Sequence, residues 1–285
     1  MTSFDIFQTV GPKDSSIIKS TLKNNKKNIV GYDDIFYISE DNNLSLNSAS
    51  FVDPTIFPFT LDYVSENIKN KKRAGWIYAQ LVKLYYPKLQ NNKEFVLVID
   101  SDVFFTKRIE FFDESKKPYF TISNEYHRPY FSHMNRVHPD LTREYDKSGI
   151  SHHMMFSKSK LTSLFEMVEK YHKKNFYDVY LDMLDPKEDS PSADYEIYFH
   201  YVLKHFPQKY SIRELDWSNV SRLSEKTFKT YDMISLPHYS GSRPEDIYKN
   251  FKKRKFNRLF NSLINYFFLK KSKFRWDRNL WGMFL

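Results

Sequence analysis

The 285 residues contain no cysteine, which excludes disulfides, thiolate metal sites and a cysteine nucleophile. This fits a reducing compartment. The opening Met1-Thr2-Ser3-Phe4-Asp5 has neither the basic start nor the long apolar stretch of a signal peptide. The longest uncharged apolar-rich run near the C-terminus, Leu259 to Leu269, is too short to span a bilayer. The expectation is a cytoplasmic protein, soluble or peripheral on the cytoplasmic face of a membrane. A chain-wide excess of one charge is missing too. The net charge is +9, but residues 252–278 hold ten of the 44 Lys/Arg and one of the 35 Asp/Glu, leaving 34 of each sign elsewhere. That argues against nucleic acid as a partner and favours a local contact with something anionic. There is no internal repeat, and no linker divides the first 245 residues. We therefore expect one domain over 1–245 and a basic aromatic extension over 246–285.

What is present is apolar and aromatic material. Apolar residues make up 41% of the chain, with 26 Phe and 21 Tyr, enough for a substantial core. Phe4 to Val10 reads as a strand broken by Gly11-Pro12. Asp14 or Ser15 can then cap a helix carrying Ile17, Ile18 and Leu22. A strand follows at Asp34 to Ile38, and residues 40–58 read as loop. Trp76, Ile77, Gln80, Leu81, Leu84 and Tyr85 share one face of a helix over 73–86, which Pro87 should end. Phe95-Val96-Leu97-Val98-Ile99 is a continuous apolar run of strand length, suited to a central parallel strand covered on both faces. Strand signals recur at Tyr119–Ile122, Ser211-Ile212 and Asp232–Leu236, and helix patterns at 159–172 and 193–205. The alternation predicts an α/β fold with a mixed, mainly parallel sheet flanked by helices.

Asp100-Ser101-Asp102 follows the apolar run at once. Carboxylates at i and i+2 past a buried strand lie at the carboxyl edge of the sheet, where open α/β folds place ligands. Mn²⁺ or Mg²⁺ prefers such oxygen donors and keeps positions for substrate phosphates. The other reading is a surface turn that uses Asp for hydrogen bonds.

Val98 to Phe105 resembles the Asp-x-Asp signature of GT-A glycosyltransferases. Further segments resemble a group of bacterial and viral glycosyltransferase-like proteins. In order they are Thr9-Val10-Gly11-Pro12-Lys13-Asp14, Arg73-Ala74-Gly75-Trp76, the Asp-x-Asp, Ser151-His152-His153-Met154 and Ala193-Asp194-Tyr195-Glu196. The resemblance covers about residues 4–245. His238-Tyr239-Ser240-Gly241-Ser242-Arg243-Pro244 is similar to the His-x-x-Gly-x-x-Lys-Pro element of family 8 glycosyltransferases, one residue shorter and with Arg for Lys. The resemblance implies a GT-A, Rossmann-like domain that moves a sugar from a nucleotide-sugar, UDP-sugars first among them, to a glycan or lipid-linked acceptor. It implies Asp100, Asp102 and His238 as metal ligands. Asp100, Ser101, Gly241 and Arg243 would lie on the donor, as would Val10, Gly11 and Lys13 of the first strand and turn. His238 also reads as a hydrogen-bonded loop histidine.

Other residues fit a transferase site. Arg73, at a helix start where the dipole does not favour it, would pair a donor phosphate or an Asp, or lie on the surface. Glu125 and His127, beyond the next strand, would meet the acceptor. His152 and His153 fall where related enzymes contact the sugar. Adjacent strand residues face opposite ways, so at most one faces the cleft, and which one stays open: His153 would meet the donor, or His152 the acceptor. Inverting transfer needs a carboxylate base, and Glu196 or Asp194 is the candidate; both also suit a helix N-terminus electrostatically.

In the extension, Phe256, Leu259, Phe260, Leu263, Ile264, Phe267 and Phe268 have helical amphipathic spacing, flanked by Lys252-Lys253-Arg254-Lys255 and Lys270-Lys271. Such a helix suits an anionic membrane surface. The same face would serve for packing on the catalytic domain or on a second subunit in a homodimer. Two rival functions use the same residues. An apolar strand followed by Asp-x-Asp also resembles the first motif of haloacid-dehalogenase-type phosphatases, but about 95 residues precede it and no convincing Gly-Asp-x-x-x-Asp follows. A non-catalytic sugar-binding protein is the other.

Overall fold

Val96 and Val98 join one apolar core while Leu97 and Ile99 join a second, because successive strand side chains point to opposite faces. This five-residue run is thus buried on both sides. In the computed structural model, which describes residues 3–90 and 93–237, the elements follow in this order. They are β1 (Phe4–Val10), α1 (Ile18–Asn28), β2 (Tyr32–Ser39), β3 (Ser50–Phe51), α2 (Leu61–Asn67), α3 (Ala74–Leu89), β4 (Phe95–Ile99), β5 (Val103–Phe105) and β6 (Tyr119–Thr121). Next come α4 (Arg128–Val137), β7 (His153–Ser157), α5 (Lys158–His172), α6 (Phe176–Asp182), α7 (Asp194–His205), β8 (Ser211–Arg213), β9 (Trp217–Asn219), α8 (Glu225–Thr230) and β10 (Met233–Ser235).

The main sheet has the order β3-β2-β1-β4-β7. Its first four strands run parallel, and β7 closes the edge antiparallel to β4. This is the mixed, mainly parallel α/β sheet the sequence predicts. Two small sheets complete the fold, β5-β10-β9 and β6-β8. Residues of α3, α5 and α7 pack in the core on one face of β4, and residues of α1 and β5 in the core on the other. Among the described residues no helix is long and apolar enough to cross a membrane.

Three local expectations are corrected. Residues 40–58 contain the short strand β3 and a single helical turn over Pro54–Ile56 as well as loop. Pro87 does not end α3, which runs on to Leu89; in the last turn its missing N–H costs one hydrogen bond and leaves little helix to break. Asp14 does not cap α1, which has no side-chain cap. Its carboxylate instead accepts the Ser101 hydroxyl.

Candidate active site

The Asp-x-Asp turn is built from beneath by α1. Thr21 Oγ1 donates to the Ser101 carbonyl at 2.9 Å. Asn25 donates to the Val103 carbonyl and accepts from the Phe105 N–H, each at 2.9 Å. Its amide thus pairs with the edge of β5 as a neighbouring strand would. The parallel pairing of β1 with β4 brings the turn after β1 beside Asp100–Asp102, and the Asp14–Ser101 hydrogen bond ties the two turns together. On the other side, the Asp100 N–H donates to the His152 carbonyl at 3.0 Å.

Asp100 is the hub. Lys83 of α3 places Nζ 2.5 Å from its Oδ1, and the Tyr195 hydroxyl donates to the same oxygen at 3.2 Å. His152 Nδ1 lies 3.2 Å from Oδ2. Lys83 Nζ is also 3.8 Å from Asp194 Oδ2 and 4.9 Å from the Tyr195 ring centre. Burial pushes the Asp100 carboxyl up, but Lys83 and His152 outweigh it and hold it well below the usual carboxylate range. Burial likewise opposes charge on Lys83 and His152, and the neighbouring carboxylates, Asp100 foremost, raise both. Burial first, opposed by Lys83 and reinforced by Asp100, pushes Asp194 up to about 6. Glu125 is pushed up to about 7 by burial, against the pull of His152 and with a push from Glu196. One connected set of charges therefore runs from Asp100 through Lys83 to Asp194 and through His152 towards Glu125.

A second wall lies next to it. The Arg73 guanidinium stacks on Trp76 at 4.1 Å and donates to Ser190 Oγ at 3.3 Å. His127 Nε2 lies 3.1 Å from the Ser190 carbonyl. Burial pushes the Tyr130 hydroxyl up, with the charges of Glu125 and Asp194 adding to it and Arg73 opposing it.

Several expected site residues stand elsewhere. His153 is 3% exposed, between Phe105 and Phe111. Its Nδ1 donates to the Ser151 carbonyl and its Nε2 accepts from Thr121; burial lowers its pKa to about 3. It is a neutral core histidine, out of reach of a donor. His152, in the left-handed region with φ 62°, turns back to Asp100, so the site-facing histidine is His152. Glu196 is 1% exposed; its oxygens accept the Ser148 hydroxyl at 2.5 Å and the Gly149 N–H at 3.2 Å. Both are spent on the loop that carries His152, which removes Glu196 as a base. The Val10 side chain is core, and Ser101 is buried in its turn. Gly11 adopts φ −70°, ψ 161°, open to any residue, and a Cβ there would meet nothing within 4 Å. Lys13 is exposed. His238, Gly241, Arg243 and the extension lie outside the described residues.

Among the described residues no group of three or more His, Cys, Asp or Glu is arranged to hold a metal ion. Asp100 and Asp102 nonetheless fit part of such a site. They are hard oxygen donors, the charges of both act on Lys83, and an ammonium already sits on Asp100 Oδ1. Two carboxylates, with substrate phosphates and water completing the shell, are a common way to hold Mg²⁺.

Lys83 and Tyr195 were not singled out from the sequence. Lys83 breaks the apolar stripe of α3 next to Gln80, Leu81 and Leu84, and that interruption was its one signal. Among solved structures, mouse xyloside xylosyltransferase 1 in its apo form is similar to this chain at 8% identity and a TM-score of 0.45, covering 84% of this chain and 99% of that one. No curated protein matches. A family described only as one of unknown function, DUF6492, matches residues 41–213, more than half of the length and including β4, the Asp-x-Asp turn, α3 and α7; the chain belongs to that family.

Proposed function

We propose that this protein is a metal-dependent glycosyltransferase of the GT-A type, moving a sugar from a nucleoside-diphosphate sugar to a glycan or lipid-linked acceptor with inversion. The observation that carries this reading is the ionised Asp100, two residues from Asp102, at the carboxyl end of the central parallel strand β4. Asp100 and Asp102 would hold Mn²⁺ or Mg²⁺. A divalent ion there supplies neutralising charge for a departing diphosphate. Glu125 is the base. It is half-buried beside the Asp100–His152 pair and, with a pKa near 7, is poised to take a proton at neutral pH. The acceptor hydroxyl gives its proton to Glu125 as its oxygen bonds to the anomeric carbon; the bond from that carbon to the diphosphate oxygen breaks, and the nucleoside diphosphate leaves. Arg73 would pair a donor phosphate, and His127 would lie on the acceptor side. The basic extension would hold the enzyme on the cytoplasmic face of an anionic membrane, next to a lipid-linked acceptor.

The test is mass-spectrometric detection of transfer from UDP-, GDP- and dTDP-sugars to free and lipid-linked glycans, with Mn²⁺. Asp102→Ala should abolish turnover, and Glu125→Gln should lower it by about 10²–10⁴-fold. Transfer by Asp102→Ala at the wild-type rate would sink the reading, and a product with the donor's anomeric configuration would refute inversion.

A further inference from the structure

Lys83 stands between two carboxylates and is bonded to one of them. Its Nζ lies 2.5 Å from Asp100 Oδ1 and 3.8 Å from Asp194 Oδ2. The two sides are not equally satisfied. Asp100 also receives the Tyr195 hydroxyl and His152. Asp194 accepts its own helix's Tyr195 N–H on Oδ1, but its Oδ2 is buried and accepts no hydrogen bond among the described residues. An acceptor without a donor is costly inside a protein, and here the nearest ammonium is about one ångström too far. The Asp194 side chain is 7% exposed, so water does not readily take the place of that donor. The Tyr195 ring lies beside Nζ, and a lysine stem is long enough to swing its charge between neighbours.

We propose that Lys83 is a displaceable counter-cation: in the free protein it neutralises Asp100, and when a divalent ion occupies Asp100 it moves onto Asp194. The proposal rests on the metal-dependent reading above. An ammonium and a divalent ion on the same carboxylate repel one another, so without a second position Lys83 would oppose metal binding. Asp194 is that position. It is a positioning residue and no metal ligand, and it keeps Lys83 charged and paired in both states. The site thus stays folded without the ion and opens to it without leaving a buried cation alone.

The test is titration of the full-length protein with Mn²⁺, following the free-ion electron paramagnetic resonance signal, with no nucleotide present. Lys83→Met should bind Mn²⁺ about tenfold more tightly than wild type, and Asp194→Asn about tenfold more weakly. The double variant should bind like Lys83→Met, because Asp194 acts only through Lys83. Unchanged or weaker binding by Lys83→Met overturns the proposal, as does an Asp194→Asn effect that persists once Lys83 is gone. Circular dichroism checks folding; should Lys83→Met fail to fold, Lys83→Gln replaces it in both the single and the double variant. A wild type that binds Mn²⁺ without this pattern removes only the counter-cation. Absence of binding in every variant removes the metal reading and the counter-cation with it, whereas binding gained only on loss of Lys83 supports both.

Discussion

Asp100 and Lys83 form a partly buried ion pair, with side chains 26% and 13% exposed, and breaking such a pair from one side costs more than the pair contributes. Asp100→Ala leaves Lys83 with Asp194 alone, and we expect a loss of about 3 kcal/mol in urea unfolding. Glu125 gives a pH signature. Its folded pKa is raised, so between about pH 4.5 and 7 the folded state keeps a proton that the unfolded chain has lost, and stability falls as pH rises. Glu125→Gln should therefore match wild type near pH 4 and be more stable by about 2 kcal/mol at pH 8, measured by denaturant unfolding at both pH values. The same ionisation should make wild-type turnover rise as pH passes through 7. His152 has the same sign in a higher pH window. Its raised pKa stabilises the fold fully below about pH 6.5 and less as pH climbs through the folded value. At this scale the sequence singles out Asp100 and Asp102, because two carboxylates directly after a buried apolar strand stand at the carboxyl edge of the sheet. It could not separate Asp194 from Glu196, two acids in the same helical turn: one faces Lys83 and the other a loop. Nor could strand alternation assign His152 and His153, since His152 lies outside β7 with positive φ.

Elements bring these residues together across long stretches of chain. Lys83 meets Asp100 because α3 packs back along β4, a contact that no local pattern encodes. The five-strand order was half-visible: the parallel core followed from alternating strands and helices, but the antiparallel β7 and the small β5-β10-β9 sheet depend on long-range pairing. The polar face of α1, Asn24-Asn25-Lys26-Lys27-Asn28, looks solvated in the sequence, yet Asn24, Asn25 and Asn28 all bond the edge of β5. Asn25→Ala deletes one donor and one acceptor facing buried backbone and should cost about 2–3 kcal/mol. Gly149 marks another close approach. A Cβ there would lie 2.6 Å from Phe199 Cβ and 2.7 Å from its Cγ, so Gly149→Ala should destabilise by about 1–3 kcal/mol in thermal unfolding. It should also loosen the loop that sets His152 against Asp100, lowering donor affinity without touching any residue of the charged set.

For the molecule as a whole, the first 251 residues balance their charge and the excess lies in the basic stretch over 252–278. We expect the full chain to bind vesicles containing phosphatidylserine and to be released by high salt, with a weakening of roughly tenfold when Lys252, Lys253, Arg254 and Lys255 become Glu; equal binding to neutral vesicles would contradict this. The central claim is tested most directly by thermal shift with UDP-, GDP-, dTDP- and CMP-sugars, with and without Mn²⁺, on wild type and Asp102→Ala. A ligand that binds only the folded state raises the melting temperature. The account predicts Mn²⁺-dependent stabilisation by one nucleotide class, lost in Asp102→Ala. No shift with any nucleotide-sugar, at concentrations where a known transferase responds, would contradict it.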